Sequence, residues 1–241
     1  MKTQILNALG VIALIATTST SHAQENVMEN FTASYITMPA AEGQIEAFAE
    51  FLIGAAPIVK ETEPGTELWF ALQDSDTLAI FDIFVDEEAR NAHFSGAVAG
   101  ALNENAEALV AGGWDEGVVA NINKSSVLSA KASVDLYTAT TATYIAVEAA
   151  PGKADDLAAL LTAAGPIVAE TEPKTLFWVA LQVDENNLAI FDIFADNSGR
   201  EAHFAGQVAS LLNTQASDLV KGGWDDGIVA NVRNYDILAI K

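Results

Sequence analysis

The spacing of hydrophobic residues changes along the chain and predicts an ordered series of strands and helices. Residues 31–38 (FTASYITM) are rich in β-branched and aromatic side chains, which predicts a strand. From Ile45 to Ala55 apolar residues recur at three- and four-residue spacing, which predicts an amphipathic helix that Pro57 then ends or kinks. The segment ETEPGTELWFALQ that follows combines a proline-marked turn with a second strand.

The remainder of this unit is predicted to contain a hairpin partner, a second helix and a closing strand. A short polar connection leads to LAIFDIF, residues 78–84, so the two neighbouring strands are predicted to form a hairpin. Asp86 can cap a second helix that runs to Gly112 and Gly113, and a last strand extends to about Lys131. The predicted order is β-α-β-β-α-β, the ferredoxin-like arrangement.

The whole series occurs a second time. Residues 188–231 match residues 78–121 at 28 of 44 positions with a constant offset of 110. A strand and a helical pattern that Pro166 ends or kinks precede this second copy. A period of this length exceeds the roughly 20–50 residues of a solenoid unit and suits a domain that folds as one unit. We therefore predict an α+β protein of two ferredoxin-like repeats, residues 24–131 and 132–241.

The strand LAIFDIF is apolar on both faces, because Asp82 is its only polar residue. A sheet covered by helices on one side only would alternate apolar and polar residues. The simplest cover for the second face is the matching sheet of the other repeat. We therefore predict that the repeats form an intramolecular dimeric α+β barrel of eight strands that encloses apolar chambers. This is a pseudo-dimer within one chain, and the sequence leaves a higher oligomer open.

Residues 1–23 have the features of a secretory signal. An apolar stretch runs from Ile5 to Ala16 after a lysine, and small residues stand at Ser21 and Ala23. We expect cleavage after Ala23 and a periplasmic or secreted protein. The apolar stretch is shorter than the roughly 20 residues of a spanning helix, so we expect no membrane contact after cleavage.

Composition narrows the function classes. The sequence contains no cysteine, which excludes disulfides, thiolate nucleophiles and cysteine-ligated metal centres. The net charge is −22, and it becomes −23 once the single lysine of the predicted signal is removed (−22 − 1). The negative electrostatic field of a protein with this charge repels nucleic acid and anionic lipid, so we expect neither as a partner. No glycine-rich dinucleotide or phosphate loop occurs in the interior, so no nucleotide cofactor is expected.

Two histidines remain after the predicted cleavage, His93 and His203, at equivalent positions of the second helix in each repeat. They lie a whole repeat apart, so we expect no shared metal site. A lone helix histidine is often structural, but each repeat also places an acid, Asp82 or Asp192, in the middle of an apolar strand. A carboxylate there must find a partner or take up a proton. These four residues are the candidate catalytic groups, with a salt bridge or a backbone hydrogen bond as the structural alternative for the aspartates.

Further aromatic, cationic and amide side chains of both repeats are candidate substrate-binding groups. They are Trp69, Trp178, Phe84, Phe194, Arg90, Arg200, Asn121 and Asn231. Aromatic residues at such spacing belong more often to a hydrophobic core than to a pocket. The arginines are alternatively the salt-bridge partners of the aspartates, and the asparagines alternatively bind backbone groups.

The order strand, helix, hairpin, histidine-bearing helix and strand, repeated over residues 31–241, resembles the dimeric α+β barrel of the antibiotic biosynthesis monooxygenase family. This family includes small quinol monooxygenases, and two separate chains usually form its barrel. The resemblance implies oxygenation without metal, flavin or other cofactor. A small aromatic or apolar molecule of quinol or phenol type is deprotonated, and its electron-rich anion reacts directly with oxygen.

The resemblance also assigns roles to individual residues. His93 and His203 match the histidine of the family's second helix, and Asp82 and Asp192 stand at the acid position, where glutamate is usual. The resemblance implies that the histidines and aspartates are catalytic.

The sequence departs from the family pattern at the end of the third strand. Many members have tryptophan there, whereas Phe84 and Phe194 keep an aromatic wall without an indole donor. The same change argues against the haem-degrading branch of the family, which needs that tryptophan. A non-catalytic protein that binds a small apolar ligand in the same barrel is the alternative function, and a purely structural role is a third.

Overall fold

A computed structural model describes residues 31–241. The predicted signal at residues 1–23 lies outside the described residues. The first half contains β1 (Thr32–Pro39), α1 (Ile45–Thr62), β2 (Thr66–Asp74), β3 (Thr77–Phe84), α2 (Glu87–Phe94), α3 (Ala97–Leu109) and β4 (Ile122–Ala132). The second half contains β5 (Thr141–Glu148), α4 (Ala154–Thr171), β6 (Thr175–Gln182), β7 (Asn187–Phe194), α5 (Asn197–Phe204), α6 (Gln207–Leu219), α7 (Gly223–Gly227) and β8 (Val232–Ile240). A π-helical turn, Gly113–Val118, takes the place of α7 in the first half.

The strands form one closed antiparallel barrel in the order β1-β3-β2-β8-β5-β7-β6-β4. Each half contributes four neighbouring strands in the ferredoxin-like order, β4-β1-β3-β2 in the first half and β8-β5-β7-β6 in the second. The barrel closes where β2 pairs with β8 and β4 pairs with β6. Each closing strand therefore bridges the two halves, and the predicted intramolecular dimeric α+β barrel is confirmed.

Both faces of β3 are buried, as its sequence predicts. No residue from Leu78 to Phe84 is more than 3% exposed. Phe81 and Ile83 belong to the core inside the barrel, whereas Ile80 belongs to the core between the sheet and the helices. The strand therefore separates two hydrophobic layers.

Aromatic side chains of both halves fill the interior of the barrel. Phe81 and Phe191 stack with ring centroids 3.8 Å apart, and Tyr35 and Tyr144 stack at 3.7 Å. Phe70 approaches Phe191 at 5.5 Å. The expectation that the facing sheets enclose apolar chambers is therefore wrong for the interior that residues 31–241 form. Rings this large meet across the barrel and occupy the space that smaller residues would leave open.

The long helices continue through their prolines. Pro57 and Pro166 lie inside α1 and α4, which extend five residues further, so of the two predicted effects, an end or a kink, the end is excluded. Residues on both sides of Pro57, such as Leu52 and Val59, are buried against the sheet. This packing holds the helix although the proline removes one backbone hydrogen bond.

The helix predicted after Asp86 is divided into two. Asp86 caps α2 as expected, because its side chain accepts a hydrogen bond from the Ala89 N–H at 2.8 Å. The helix ends at Phe94, and Gly96, with extended backbone (ψ 176°), is the N-cap of α3. This break lies next to the candidate site.

Candidate active site

Each half carries an aspartate in the middle of a strand, on the face that meets the helices. Asp82 on β3 is completely buried, and its cross-strand neighbours are Ser34 on β1 and Trp69 on β2. Directly opposed residues of antiparallel strands project to the same face of the sheet. The Ser34 hydroxyl donates a hydrogen bond to Asp82 Oδ1. The three side chains therefore form a row across the sheet where α2 packs.

His93 projects from α2 toward this row and lies between two carboxylates. Its Nε2 is 3.3 Å from Asp82 Oδ2, and its Nδ1 is 2.5 Å from Glu63 Oε2. Glu63 immediately follows α1, and the Thr66 hydroxyl donates to the same Oε2 at 3.1 Å. The Nδ1–H therefore donates to Glu63, which leaves Nε2 directed at Asp82. We refer to Asp82, His93 and Glu63 as the first acid–histidine site.

The second half builds the same group from equivalent residues. His203 Nδ1 is 2.5 Å from Glu172 Oε2, and His203 Nε2 is 3.7 Å from Asp192 Oδ2. The Thr175 hydroxyl donates to Glu172 Oε2 at 3.0 Å. Asp192, His203 and Glu172 form the second acid–histidine site.

Burial sets the proton affinities of both sites. It raises the pKa of Asp82 and of Asp192 to about 6, although the charge of the adjacent histidine opposes this change. Burial by itself lowers the pKa of His93, but the hydrogen bond to Glu63 and the charge of Asp82 outweigh it and raise the pKa. The pKa of His203 is raised in the same way by its two carboxylate neighbours. A carboxyl group with a pKa near 6 beside a histidine can exchange a proton close to neutral pH.

The two sites differ at the residue beside the aspartate. Ser34 donates to Asp82, whereas its counterpart Thr143 donates to Asn234 Oδ1 at 3.1 Å. Neither carboxylate oxygen of Asp192 has a hydrogen-bond partner among the described residues. The first site therefore holds its aspartate more firmly than the second.

Several buried polar atoms of these sites lack a hydrogen-bond partner among residues 31–241. In the first site they are Trp69 Nε1, Asp82 Oδ2 and Glu63 Oε1. The equivalent atoms of Trp178, Asp192 and Glu172 share this property. An unpaired buried polar group costs roughly 1–3 kcal/mol, so these atoms can each form a hydrogen bond to a further group. An indole N–H donates and a carboxylate oxygen accepts, whereas a hydroxyl group can do both.

The structure brings several other predicted residues to the histidines. The ring of Phe84 lies 5.2 Å from that of His93, and the ring of Phe194 lies 5.6 Å from that of His203. Trp178 stands opposite Asp192 on the neighbouring strand, as Trp69 does in the first half. All four aromatic side chains are fully buried. Their role in substrate binding stays a prediction.

The arginines contact the backbone instead of the aspartates. Arg90 donates to one carbonyl on β1 and one on β4, at 3.3 and 3.2 Å. Arg200 donates to the corresponding carbonyls of β5 and β8, at 3.0 and 3.3 Å. Among the described residues Asp82 contacts His93 and Ser34, and no salt bridge joins it to Arg90. The guanidinium groups tie α2 and α5 to the sheet.

The asparagines also bind backbone groups, which was the structural alternative for them. Asn121 Nδ2 donates to the carbonyls of Glu116 and Gly117 at 3.1 and 3.0 Å. Asn231 makes the equivalent pair of bonds in the second half, at 3.3 and 3.0 Å. These amides stabilise the turn before each closing strand.

Sequence reasoning missed Glu63 and Glu172. The sequence does contain a pattern that points to these glutamates, because the tetrapeptide ETEP is identical in both repeats at residues 61–64 and 170–173. A turn needs the proline but not the glutamate before it. A glutamate that the turn does not need, yet that occurs in both repeats, therefore indicated a role other than forming the turn.

Within residues 31–241, no helix is apolar over enough of its length to cross a bilayer. The same residues contain no group of three or more histidine, aspartate or glutamate side chains arranged to hold a metal ion.

Comparison with solved structures finds the same architecture in other proteins. A candidate monooxygenase from Fusobacterium nucleatum aligns over 88% of this chain and 94% of its own, with 15% identity and a TM-score of 0.72. A candidate monooxygenase from Lactobacillus acidophilus aligns over 88% and 96%, with 12% identity and a TM-score of 0.69. An anthrone oxidase-like protein aligns over 88% and 93%, with 11% identity and a TM-score of 0.53. At these identities the likeness concerns the fold.

The sequence matches no protein-family model. It also matches no curated protein.

Proposed function

We propose that this chain, which repeats the antibiotic biosynthesis monooxygenase fold in tandem, is a cofactor-independent monooxygenase for a small aromatic quinol or phenol. The observation that carries the proposal is the acid–histidine site, built twice from equivalent buried residues. Similar proteins described as monooxygenases or as anthrone oxidase-like support the reaction class.

The geometry supports proton abstraction as the first step. Glu63 accepts the Nδ1–H of His93, so in the neutral imidazole Nε2 is the nitrogen that can act as the base. Asp82, 3.3 Å from that nitrogen, takes up or stabilises the proton. A pKa near 6 for Asp82 keeps both forms accessible near neutral pH.

A phenolate formed there needs hydrogen-bond donors and the exclusion of water. The indole N–H of Trp69 has no partner among the described residues and stands on the strand next to Asp82, so it is the proposed donor to the oxyanion. Trp69 and Phe84, both fully buried, provide an apolar surround.

The proposed reaction needs no external reductant. For a quinol, a ring C–H bond is replaced by a bond to one oxygen atom, and the second oxygen atom leaves as water. The quinol supplies all four electrons that reduce O₂, so quinol and O₂ yield a hydroxyquinone and water. The base accepts the phenolic proton and returns it to the oxygen atom that becomes water.

Oxygen uptake by the mature chain with a panel of quinols and anthrones tests the proposal. We expect uptake above the buffer rate, a partial loss in His93→Ala or His203→Ala, and a return to the buffer rate in the double variant. Glu104→Gln, at an exposed position of α3, is the control with full activity. Absence of uptake across the panel, or full uptake by the double variant, would contradict the proposal.

The alternative function is non-catalytic binding of a small apolar ligand, and the unpartnered atoms of Trp69 and Asp82 would serve it equally well. Mass spectrometry of the same incubations separates the two functions. A ligand recovered with unchanged mass favours the binding protein, and a product heavier than the quinol by one oxygen less two hydrogens favours the enzyme.

We also propose that the protein is exported, on the basis of the signal pattern in residues 1–23. Sequencing of the N-terminus after expression with an intact secretion system tests this. A mature chain that begins at Gln24 is expected, and an uncleaved cytoplasmic chain would contradict it.

A further inference from the structure

The strands that close the barrel carry a lysine from each half onto the site face of the other. Lys131 lies in β4 directly opposite Trp178 of β6. Its counterpart Lys241 follows β8, and its backbone N–H donates to the Trp69 carbonyl at 2.9 Å. Trp69 and Trp178 are the cross-strand neighbours of the site aspartates. Each row of serine or threonine, aspartate and tryptophan therefore continues across the seam to a lysine of the other half.

The lysine side chains bind the turn that positions the site glutamate. Lys241 Nζ donates to the Glu63 carbonyl at 3.2 Å and also to the Thr66 carbonyl. Lys131 Nζ donates to the Thr175 carbonyl, at the matching turn of the second half. Thr66 itself donates to Glu63, both through its backbone N–H at 3.2 Å and through its hydroxyl. The ammonium group therefore clamps the two ends of the turn from which Glu63 reaches the histidine.

The charges of these groups are coupled as well. Burial lowers the pKa of Lys241, while the charges of Glu67 and Glu63 raise it. The positive charge of Lys241 in turn lowers the pKa of His93. For Lys131, burial lowers the pKa and the charge of Glu172 raises it. The charge of each lysine therefore interacts with the charge of the site glutamate in the opposite half.

We propose that each acid–histidine site is completed by a positioning lysine from the opposite half: Lys241 serves the site of His93, and Lys131 serves the site of His203. The lysine holds the glutamate turn in place and offsets the negative charge of two buried carboxylates. This inference rests on the proposed function only in regarding the histidine as the base. It also means that neither half by itself contains a complete site.

Within residues 31–241, three charged groups act on His93. Glu63 approaches from the end of α1, Asp82 from β3 and Lys241 from the end of β8. The charges of Glu67 and Lys60 act on Lys241 in turn. Removing the charge of Lys241 leaves two carboxylates beside His93, so the histidine should hold its proton more tightly.

Imidazole ¹⁵N titrations of the full chain test the proposal without any substrate. The variants are Lys241→Met, Lys131→Met as the matched control at the other site, and Lys241→Arg as the rescue. We expect Lys241→Met to raise the titration midpoint of His93 and to leave His203 unchanged. Lys131→Met should act on His203 and leave His93 unchanged, and Lys241→Arg should restore the wild-type midpoint.

Amide hydrogen exchange provides a second measurement that does not depend on titration. The Thr66 N–H should exchange faster in Lys241→Met, because the clamp on its turn is lost, and should keep its wild-type rate in Lys131→Met. The proposal is overturned if each variant affects both halves equally. It is also overturned if neither histidine midpoint nor turn exchange responds in folded protein. Oxygen uptake decides the proposed reaction separately, so failure of one proposal leaves the other intact.

Discussion

Replacing Asp82 by asparagine is expected to stabilise the protein at alkaline pH while it reduces the proposed activity. Asp82 is completely buried on the helix-facing side of β3, and its Oδ2 has no hydrogen-bond partner among the described residues. Above its pKa the folded protein therefore holds an ionised carboxylate with incomplete compensation. Asparagine has nearly the same shape, carries no charge, and can still accept the hydrogen bond from Ser34.

The pKa of Asp82 fixes the size of the effect and its pH dependence. It is about 6 in the folded protein, against roughly 3.9 for an unfolded chain. Between these values the folded state binds more protons than the unfolded state, so wild-type stability falls as the pH rises through 6. The gap corresponds to ~3 kcal/mol. The variant has no carboxyl group to ionise at this position, so it does not lose this stability. Its free energy of unfolding should exceed that of the wild type only slightly near pH 4, and the difference should reach a plateau above pH 7.

Thermal and urea unfolding of both proteins between pH 4 and 8.5 measure this advantage. For a chain of this size, ~3 kcal/mol corresponds to roughly 6–12 °C in Tm. Asp115→Asn, at an exposed position, is the control and should change little at any pH. If Asp82→Asn is less stable than wild type at pH 8.5, the contact with His93 more than compensates the buried charge, and the reasoning is refuted.

Three further variants test the packing and the site. Phe81→Ala removes a fully buried ring from the barrel interior and should lower the free energy of unfolding by ~3–5 kcal/mol in urea titrations. Gly96→Ala places a methyl group 2.7 Å from Glu63 Oε1 and should displace that carboxylate. Because the hydrogen bond to Glu63 raises the pKa of His93, the titration midpoint of His93 should then fall. Ser34→Ala removes the hydrogen bond that lowers the pKa of Asp82, so carboxyl ¹³C titration should show that pKa raised further.

Matched controls keep these three outcomes interpretable. Val134→Ala, at a position 94% exposed, should leave the urea midpoint unchanged. Gly100→Ala meets no atom within 4 Å and should stabilise α3 slightly without moving the histidine titration. Thr143→Val removes a hydroxyl that donates to Asn234, so the pKa of Asp192 should not follow that of Asp82. A response of any control as large as that of its test variant would contradict the corresponding argument.

Local patterns in the sequence were sufficient for the architecture. The constant offset between the repeats, the β-branched and aromatic residues of the predicted strands and the absence of a polar face on β3 together predicted eight strands in one barrel, and the pairing confirms it. Asp82 and His93 were also identified as candidate catalytic groups, because a carboxylate in an apolar strand must find a partner or take up a proton, and the two side chains lie 3.3 Å apart. These inferences needed only side-chain polarity and short-range spacing.

The composition of the site depended on contacts that no spacing reveals. Glu63 stands 30 residues before His93, and only the packing of α2 on the sheet, beside the turn between α1 and β2, brings them to 2.5 Å. Arg90 was expected at the aspartate, but the geometry of β1 and β4 offers its guanidinium two carbonyls instead. A long flexible side chain such as that of arginine can reach several hydrogen-bond acceptors, so its position in the sequence does not determine which acceptor it binds.

The sequence by itself determined that one α+β unit is used twice, that its sheet is buried on both faces, and that each copy has an acid in an apolar strand and a histidine in the helix that follows. The tertiary structure decided that the barrel interior is filled by aromatic rings and that the candidate sites lie on its outer face. It also decided which half supplies each lysine. Side-chain polarity fixes which surfaces must be buried, but the register at the seams between β2 and β8 and between β4 and β6 fixes which residues then meet.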